Sequence, residues 1–248
     1  MFSLDLECTQ VNHDLLIAEL YEAGSVGITE LSDTSLRVFF DDEQSATASG
    51  LRFGATPQPA DTTDWVTEAQ RSLQPTLVGE RFFLVPEWRD DPTPEGRFRI
   101  QVNNGLAFGT GKHETTRLCL TLLETYVKPG MTVIDIGTGT GILCEAALLL
   151  GAAQVYACDI DHTAVEIAKA HGIPAFTGSA DALESSIADI LVANISPEAL
   201  TALQNELPRI LKPDGIAILS GLELHDEVPF TAKETHTEGN WKALVARY

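Results

Sequence analysis

The chain has few cysteines, few basic residues and no long apolar run, and each shortage argues against a class of protein. Its 248 residues contain four cysteines, six histidines and no C-x-x-C pair. Neither a disulfide framework nor a metal site is therefore predicted, and cysteines in apolar surroundings favour buried thiols in a reducing compartment. No apolar run approaches the roughly 20 residues that span a bilayer, so no membrane segment is expected.

The shortage of basic residues leaves a strongly acidic chain. Sixteen Lys and Arg stand against 36 Asp and Glu, for a formal net charge of −20. Nucleic acid would be repelled, so no direct binding to it is predicted, whereas a basic protein or a cationic ligand would be attracted. The alternative is that the acidity only serves solubility or a saline habitat. The acidic, alternating residues 2–7 are unlike a signal peptide, and a cytoplasmic protein is expected.

The first fifty residues predict a small α+β unit. Residues 2–7 alternate like a strand, and residues 14–22 have the apolar spacing of a helix. Residues 25–30 and 35–40 are typical of two further strands. We expect a separate domain over residues 1–55.

The next segment is predicted to connect two domains. Residues 41–61 are polar and rich in glycine and proline, which favours a linker, and residues 64–73 have helical spacing. The predicted connecting segment is 56–95, and the second domain is 96–248.

The second domain alternates strands with helices, which is typical of a doubly wound α/β sheet with its ligand at the carboxyl ends of the strands. Strands are predicted at 132–136, 155–159, 174–176, 190–193 and 216–219, with an edge strand at 241–248. Four helices are predicted. The first begins at residue 115, the second follows the glycine-rich turn at 137–141, the third ends at residue 170, and the fourth covers residues 197–211.

The glycine-rich turn is the clearest functional motif. Gly137, Gly139 and Gly141 follow a buried strand and precede an apolar helix, so backbone can approach a ligand and helix amides can meet an anionic group. Asp159 ends the next strand, where a carboxylate can accept hydrogen bonds from ribose hydroxyls. Ile142 stands where a dinucleotide fingerprint needs glycine or alanine, which disfavours a nicotinamide enzyme. The pattern D-x-G-x-G-x-G resembles the S-adenosylmethionine (AdoMet) loop of Rossmann-like methyltransferases.

Further motifs make the resemblance more specific. Residues 105–116, GLAFGTGKHETT, resemble the signature before the catalytic fold in the ribosomal protein L11 methyltransferase family (PrmA). Asp64-Trp65 and the segment 75–88 resemble the same family upstream. Asn194-Ile195 and Ser220-Gly221-Leu222 stand where its later motifs are expected.

The resemblance implies an AdoMet-dependent protein methyltransferase that modifies amines of ribosomal protein L11, with a small N-terminal substrate-recognition domain. It places AdoMet contacts on Thr116, Gly137, Asp159 and Asn194, with weaker expectations for Gly139 and Asp181. Asn194 and the carbonyl of Ile195 would orient the attacking amine. A monomer is expected.

Structural alternatives stay open for several of these residues. Thr116 could be an early helix residue, Asn194 a turn residue, and Asp159 or Asp181 a helix cap. His113 could line the site or support its loop. Asn103, Lys112, Glu114 and Ser196 depart from the family pattern and put the acceptor in doubt. The rival functions are an N-methyltransferase of the same fold acting on another protein or a small amine, and an AdoMet-binding module without turnover.

Overall fold

The computed structural model describes residues 1–8, 13–32, 34–60, 74–102, 111 and 113–248. The chain forms two compact units, Met1–Gln74 and Pro75–Tyr248. The predicted division into 1–55, 56–95 and 96–248 stays a prediction. The predicted helix over 64–73 lies outside the described residues. Within the described ranges, no helix is both long and apolar enough to span a membrane.

The smaller unit has the element order of a ferredoxin-like βαββαβ motif. Its four antiparallel strands lie in the order β2-β3-β1-β4. Alternate residues such as Leu4, Leu36, Val38 and Phe40 are buried with Leu20 in one core. The elements are β1 (Phe2–Glu7), α1 (His13–Glu22), β2 (Gly27–Ser32), β3 (Ser35–Phe40), α2 (Glu43–Phe53) and β4 (Gln58–Pro59).

Helix α2 corrects the prediction of a linker over residues 41–61. Asp42 caps the helix by accepting a hydrogen bond from the Ser45 amide at 2.8 Å, and Gly54 ends it in the left-handed conformation. The buried residues of the helix are Ala46, Ser49 and Gly50. Because these side chains are small, the packed face lacks the apolar periodicity that predicts a helix.

The larger unit contains a seven-stranded sheet in the order β10-β9-β8-β11-β12-β14-β13. The first five strands of that order are parallel, and β14 and β13 join antiparallel. The strands are β8 (Thr132–Ile136), β9 (Gln154–Asp159), β10 (Ala175–Thr177), β11 (Ala188–Asn194), β12 (Leu211–Glu223), β13 (Glu234–Glu238) and β14 (Trp241–Arg247).

Helices cover both faces of this sheet, so the predicted Rossmann-like doubly wound fold is confirmed. One apolar core includes Leu120 and Leu123 of α3 and Ala146 of α4, and the other includes Leu200 of α6 and Leu207 of α7. The helices are α3 (Glu114–Tyr126), α4 (Ile142–Leu149), α5 (His162–Ala170), α6 (Pro197–Ala202) and α7 (Glu206–Ile210), with a short 3₁₀ helix at Ala180–Ala182.

Two details of the larger unit differ from the predictions. Strand β14 is not an edge strand, because β13 pairs with its outer side. The sequence of β13, ETHTE, has no apolar residue to predict a strand, which suits an exposed edge. The helix predicted over 197–211 is two short helices separated at 203–205.

A three-stranded sheet precedes α3 and contributes to the first core. It consists of β5 (Thr76–Val78), β6 (Phe82–Pro86) and β7 (Phe98–Val102), and Phe82, Leu84 and Ile100 are buried. The carboxylate of Glu124 on α3 accepts hydrogen bonds from the amides of Glu80 and Arg81, at 3.0 and 2.8 Å. These bonds tie the β5–β6 turn to the helix that leads into the main sheet.

Candidate functional site

A cavity of about 610 Å³ lies at the carboxyl ends of the parallel strands. This is where doubly wound sheets bind ligands. The lining comes from the ends of β8, β9 and β11, from α6, and from the start of β14. The lining residues are His113, Thr115, Ile136, Gly137, Gly139, Asp159, Ile160, Gly178, Ser179, Asn194, Ile195, Ser196, Ala199, Ala202, Leu203, Gly221 and Trp241.

The glycine-rich loop is held to the next strand by Asp159. One carboxylate oxygen of Asp159 accepts a hydrogen bond from the Gly139 amide at 2.9 Å, and the other accepts one from the Asp161 amide at 3.0 Å. The amides of Gly137 and Thr138 both donate to the carbonyl of Cys158, at 2.8 and 3.1 Å. Asp159 therefore shapes the loop as well as facing the cavity.

Glycine is required at position 137 for two reasons. Its φ is +75°, a conformation that L side chains rarely adopt. A Cβ there would also overlap the side chain of Ile195. Gly137 thus lets the end of β8 approach the end of β11 closely.

Beneath the loop lies a fully buried carboxyl group, Asp135. Its pKa is raised to about 7, mainly because burial disfavours the charged form. The hydroxyl of Thr138, which donates to Oδ2 of Asp135 at 2.7 Å, lowers the pKa, and the negative charge of Asp159 raises it. The buried Oδ1 of Asp135 has no hydrogen-bond partner among the described residues.

The four cysteines are buried free thiols, as predicted.

The segment Asn194-Ile195-Ser196 leaves β11 and enters α6. The amide of Ile195 donates to the carbonyl of Ser220 on β12 at 3.2 Å. Gly221, with φ +86°, lies so close to the Ile195 backbone that a Cβ would overlap the Ile195 carbonyl oxygen. Ser196 caps α6, since its hydroxyl accepts from the Ala199 amide at 3.3 Å. The neighbouring strand thus fixes the backbone of Ile195, directly after Asn194.

His113 and Trp241 form another part of the cavity wall. Their ring centroids are 4.6 Å apart in an edge-to-face arrangement. His113 also caps α3: its Nδ1 accepts from the Thr115 amide at 3.3 Å and lies 2.8 Å from the Thr115 hydroxyl. His113 therefore lines the site and caps α3. Its support of the glycine-flanked loop stays a prediction, because residues 103–110 and 112 of that loop lie outside the described residues.

Comparison with known proteins identifies the family. Residues 32–247 match the model of the ribosomal protein L11 methyltransferase (PrmA) family. The chain belongs to this family.

Relatives named ribosomal protein L11 methyltransferase occur in several bacteria. The Acetivibrio thermocellus protein is 38% identical over 203 residues, which are 75% of this chain and 65% of that protein. The Anoxybacillus flavithermus protein is 36% identical over 74% of this chain and 65% of its own length. This chain thus spans slightly less than two thirds of the PrmA relatives it matches.

A solved structure supports the same assignment. The crystal structure of a ribosomal protein L11 methylase from Lactobacillus delbrueckii subsp. bulgaricus is 32% identical to this chain, with a TM-score of 0.64. The similarity covers 71% of this chain and 99% of that chain.

The structure brings most of the residues implied by the PrmA resemblance into one cavity. Gly137, Gly139, Asp159, Asn194 and Ile195 all line it. Two residues lie elsewhere. Thr116 is buried behind the lining residue Thr115, with its hydroxyl 3.4 Å from the Asn194 side-chain nitrogen, and Asp181 is exposed, two residues beyond the lining residue Ser179.

Sequence reasoning missed the apolar part of the lining. Ile160 directly follows Asp159, and Ala199 and Leu203 belong to or follow α6. The helix start at Ser196-Pro197 was predicted, but a helix-start signal does not say which residues of the helix line a cavity. Nothing in the sequence connected Trp241 with His113, because they are far apart in the chain. Of the residues that depart from the PrmA pattern, Asn103 and Lys112 lie outside the described ranges, and Glu114 is the first residue of α3.

Proposed function

We propose that this protein is an AdoMet-dependent protein methyltransferase that transfers methyl groups to amines of ribosomal protein L11. The observation that carries the proposal is the convergence of the glycine-rich loop, Asp159 and Asn194 on one cavity, in a chain of the PrmA family. This chain covers only 65% of the Acetivibrio thermocellus protein, so its activity and substrate are proposals that rest on the family and on the site together.

The cavity suits a nucleoside ligand with one charged and one aromatic end. Gly137 and Gly139 present backbone at the end of β8, where the methionine part of AdoMet would lie. The carboxylate of Asp159 keeps lone pairs beyond the two amide bonds it accepts, and these would bind ribose hydroxyls. Ile160 and Leu203 offer apolar surface to the adenine.

The other two residues implied by the family resemblance would act less directly. The buried hydroxyl of Thr116 would orient the side chain of Asn194, because the two groups are 3.4 Å apart. Asp181 would reach the adenine amine only from the exposed 3₁₀ turn beyond Ser179. We therefore rank Asn194 and Asp159 above Asp181 as ligand contacts.

The reaction would depend mainly on positioning. AdoMet would supply an electrophilic methyl group on its sulfonium, and the attacking nitrogen must lie in line with the bond that breaks. The side-chain oxygen of Asn194 and the carbonyl of Ile195 would accept the amine's hydrogens and direct its lone pair. Because Gly221 and Ser220 hold the Ile195 backbone, the Ile195 carbonyl would be fixed before a substrate arrives, and the Asn194 amide would be oriented by its contact with Thr116.

A lysine substrate must be neutral before it attacks, and its usual pKa is about 10.4. The walls near Asn194 include Ile195, Trp241 and Ala199, which are largely apolar. An amine that enters this cavity loses water, which disfavours its charged form and lowers its pKa. The proposed site therefore needs no dedicated strong base.

The direct test is methyl transfer from labelled AdoMet to undermethylated ribosomal proteins, with the label located by mass spectrometry. Label on lysines or the N-terminal amine of L11 would support the proposal. Label on another protein would favour the rival N-methyltransferase, and binding of AdoMet without any transfer would favour a non-catalytic module. The cytoplasmic location, the monomeric state and the lack of nucleic-acid binding stay predictions.

The role of Asn194 can be tested separately. Asn194→Ala should lower kcat by about a hundredfold, the usual cost of removing one positioned polar group, with a smaller effect on AdoMet affinity. Thr201→Ala is a matched control, because its hydroxyl only bonds to the Pro197 carbonyl on the exposed side of α6. Equal losses of turnover and of AdoMet affinity in Asn194→Ala would contradict an amine-orienting role.

A further inference from the structure

The turn that ends α5 packs against the glycine-rich loop. A Cβ at Gly141 would lie 3.1 Å from Ile173 and 3.3 Å from the Cβ of Ala168, so the loop touches residues on both sides of this turn. The turn itself is closed by hydrogen bonds from the amides of Ile173 to Ala168 and of Gly172 to Lys169, at 3.0 and 2.9 Å. This hydrogen-bonded turn therefore packs against the glycine-rich loop, which lines the cavity.

His171, in the middle of this turn, contacts the loop directly. Its Nδ1 lies 3.2 Å from the carbonyl oxygen of Thr140, the residue between Gly139 and Gly141. A carbonyl only accepts, so Nδ1 must carry the hydrogen. The contact fixes the peptide plane between Thr140 and Gly141, one residue beyond Gly139, whose own amide bonds to Asp159.

The other side of the imidazole faces acidic groups from two other elements. Its Nε2 is 3.9 Å from a carboxylate oxygen of Glu87, in the segment after β6. Glu145 of α4 is also near: burial raises the pKa of Glu145, and the charge of His171 lowers it. A protonated imidazole would donate to Thr140 while attracting both carboxylates, whereas the neutral ring would keep only the bond to Thr140.

We propose that His171 is a positioning residue that holds the glycine-rich loop in its ligand-binding conformation, and holds it more firmly when the imidazole is protonated. This inference rests on the proposed function only in naming AdoMet as the ligand. His171 does not line the cavity, so any effect on AdoMet binding must pass through the loop.

Two substitutions separate the hydrogen bond from the charge. His171→Phe keeps a ring and removes the donor, whereas His171→Asn places an amide nitrogen where Nδ1 was and removes the charge. Lys169→Gln is the matched control, because Lys169 lies on the same turn and pairs with the exposed Glu166 at 3.0 Å. Two measurements apply to each variant: hydrogen exchange of residues 137–141 without ligand, and the Kd for AdoMet at about pH 6 and about pH 8.

We expect His171→Phe to speed exchange in the loop and to weaken AdoMet binding about three- to tenfold at the higher pH, the range for one lost hydrogen bond, and by more at the lower pH. His171→Asn should match the unmodified protein at the higher pH and bind more weakly at the lower one. Lys169→Gln should change neither measurement.

Unchanged loop exchange and Kd in His171→Phe would overturn the inference while leaving the proposed function in place. If His171→Phe does not fold, His171→Asn decides: a Kd ratio to the unmodified protein that is the same at both pH values would overturn the protonation-dependent role. Failure of the unmodified protein to bind AdoMet would instead overturn the proposed function, and loop exchange without ligand would still test the contact with Thr140.

Discussion

Replacing Gly221 by alanine should disrupt the site through the backbone of its neighbour. Gly221 has φ +86°, and a Cβ there would overlap the carbonyl oxygen of Ile195 and lie 2.8 Å from the Ile195 carbonyl carbon. Because these are backbone atoms, no side-chain rotation can relieve the overlap. The segment that carries Asn194 would have to move away from β12.

Gly130 provides a control with the same conformational cost and no overlap. Its φ is +91°, and a Cβ there would meet nothing within 4 Å. Alanine in this conformation costs about 1–2 kcal/mol, offset by about 0.4–1 kcal/mol because the unfolded chain is also restricted. Gly130→Ala should therefore lower stability by about 1 kcal/mol. Gly221→Ala adds an overpacking cost of about 1–3 kcal/mol.

Thermal unfolding followed by circular dichroism would measure the difference. At about 2–4 °C for each kcal/mol in a domain of this size class, Gly130→Ala should lower the Tm by a few degrees and Gly221→Ala by about 4–16 °C. Methyl transfer should fall sharply in Gly221→Ala at a temperature where it is folded, and stay near normal in Gly130→Ala. Equal Tm changes and equal activities would refute the close approach of Gly221 to Ile195.

Two carboxyl groups give further predictions. Asp159→Asn should weaken AdoMet binding at least tenfold in calorimetric titration. The reason is that an amide has a single acceptor oxygen to serve the Gly139 amide, the Asp161 amide and the ribose. An unchanged Kd would contradict both the loop-holding and the ribose-binding role of Asp159. Asp135 has its pKa raised from 3.8 to about 7, so the folded protein binds more protons than the unfolded chain between those values. Its contribution to stability should therefore fall as the pH rises through about 4 to 7, by up to about 1.4 kcal/mol for each pH unit. Asp135→Asn removes this titration. The Tm of the variant minus the Tm of the unmodified protein should therefore increase from pH 5 to pH 8. A Tm difference that is the same at both pH values would count against a buried, protonated Asp135.

The parallel half of the sheet could be predicted from the sequence because each strand there is a short apolar run bounded by turn residues. The runs that end at Ile136, Asp159 and Asn194 are examples, and the carboxyl ends of parallel strands meet at one edge. That is why Gly137 and Asp159 could be placed together without a structure, whereas Asn194 was placed with them by the resemblance to the PrmA family.

The elements that were missed have patterns that apolar periodicity does not detect. Helix α2 buries Ala46, Ser49 and Gly50 in place of large apolar side chains, and β13 has no apolar residue at all. The contact between His113 and Trp241 could not be predicted either, because it depends on where β14 enters the sheet.

The order of β13 and β14 has a consequence for how the chain is assembled during synthesis. Strand β13 is made first, but its pairing partner in the sheet is β14, which follows it in the chain. On the ribosome, β13 therefore emerges with no edge to join, and its polar, charged sequence keeps it hydrated in the meantime. Once β14 is made, β13 can pair with it as a hairpin, and docking of β14 on β12 then brings Trp241 to the cavity. The ligand site is thus completed at a late, non-local step of folding, and a nascent chain that has not reached β14 should carry the glycine-rich loop without a finished binding site.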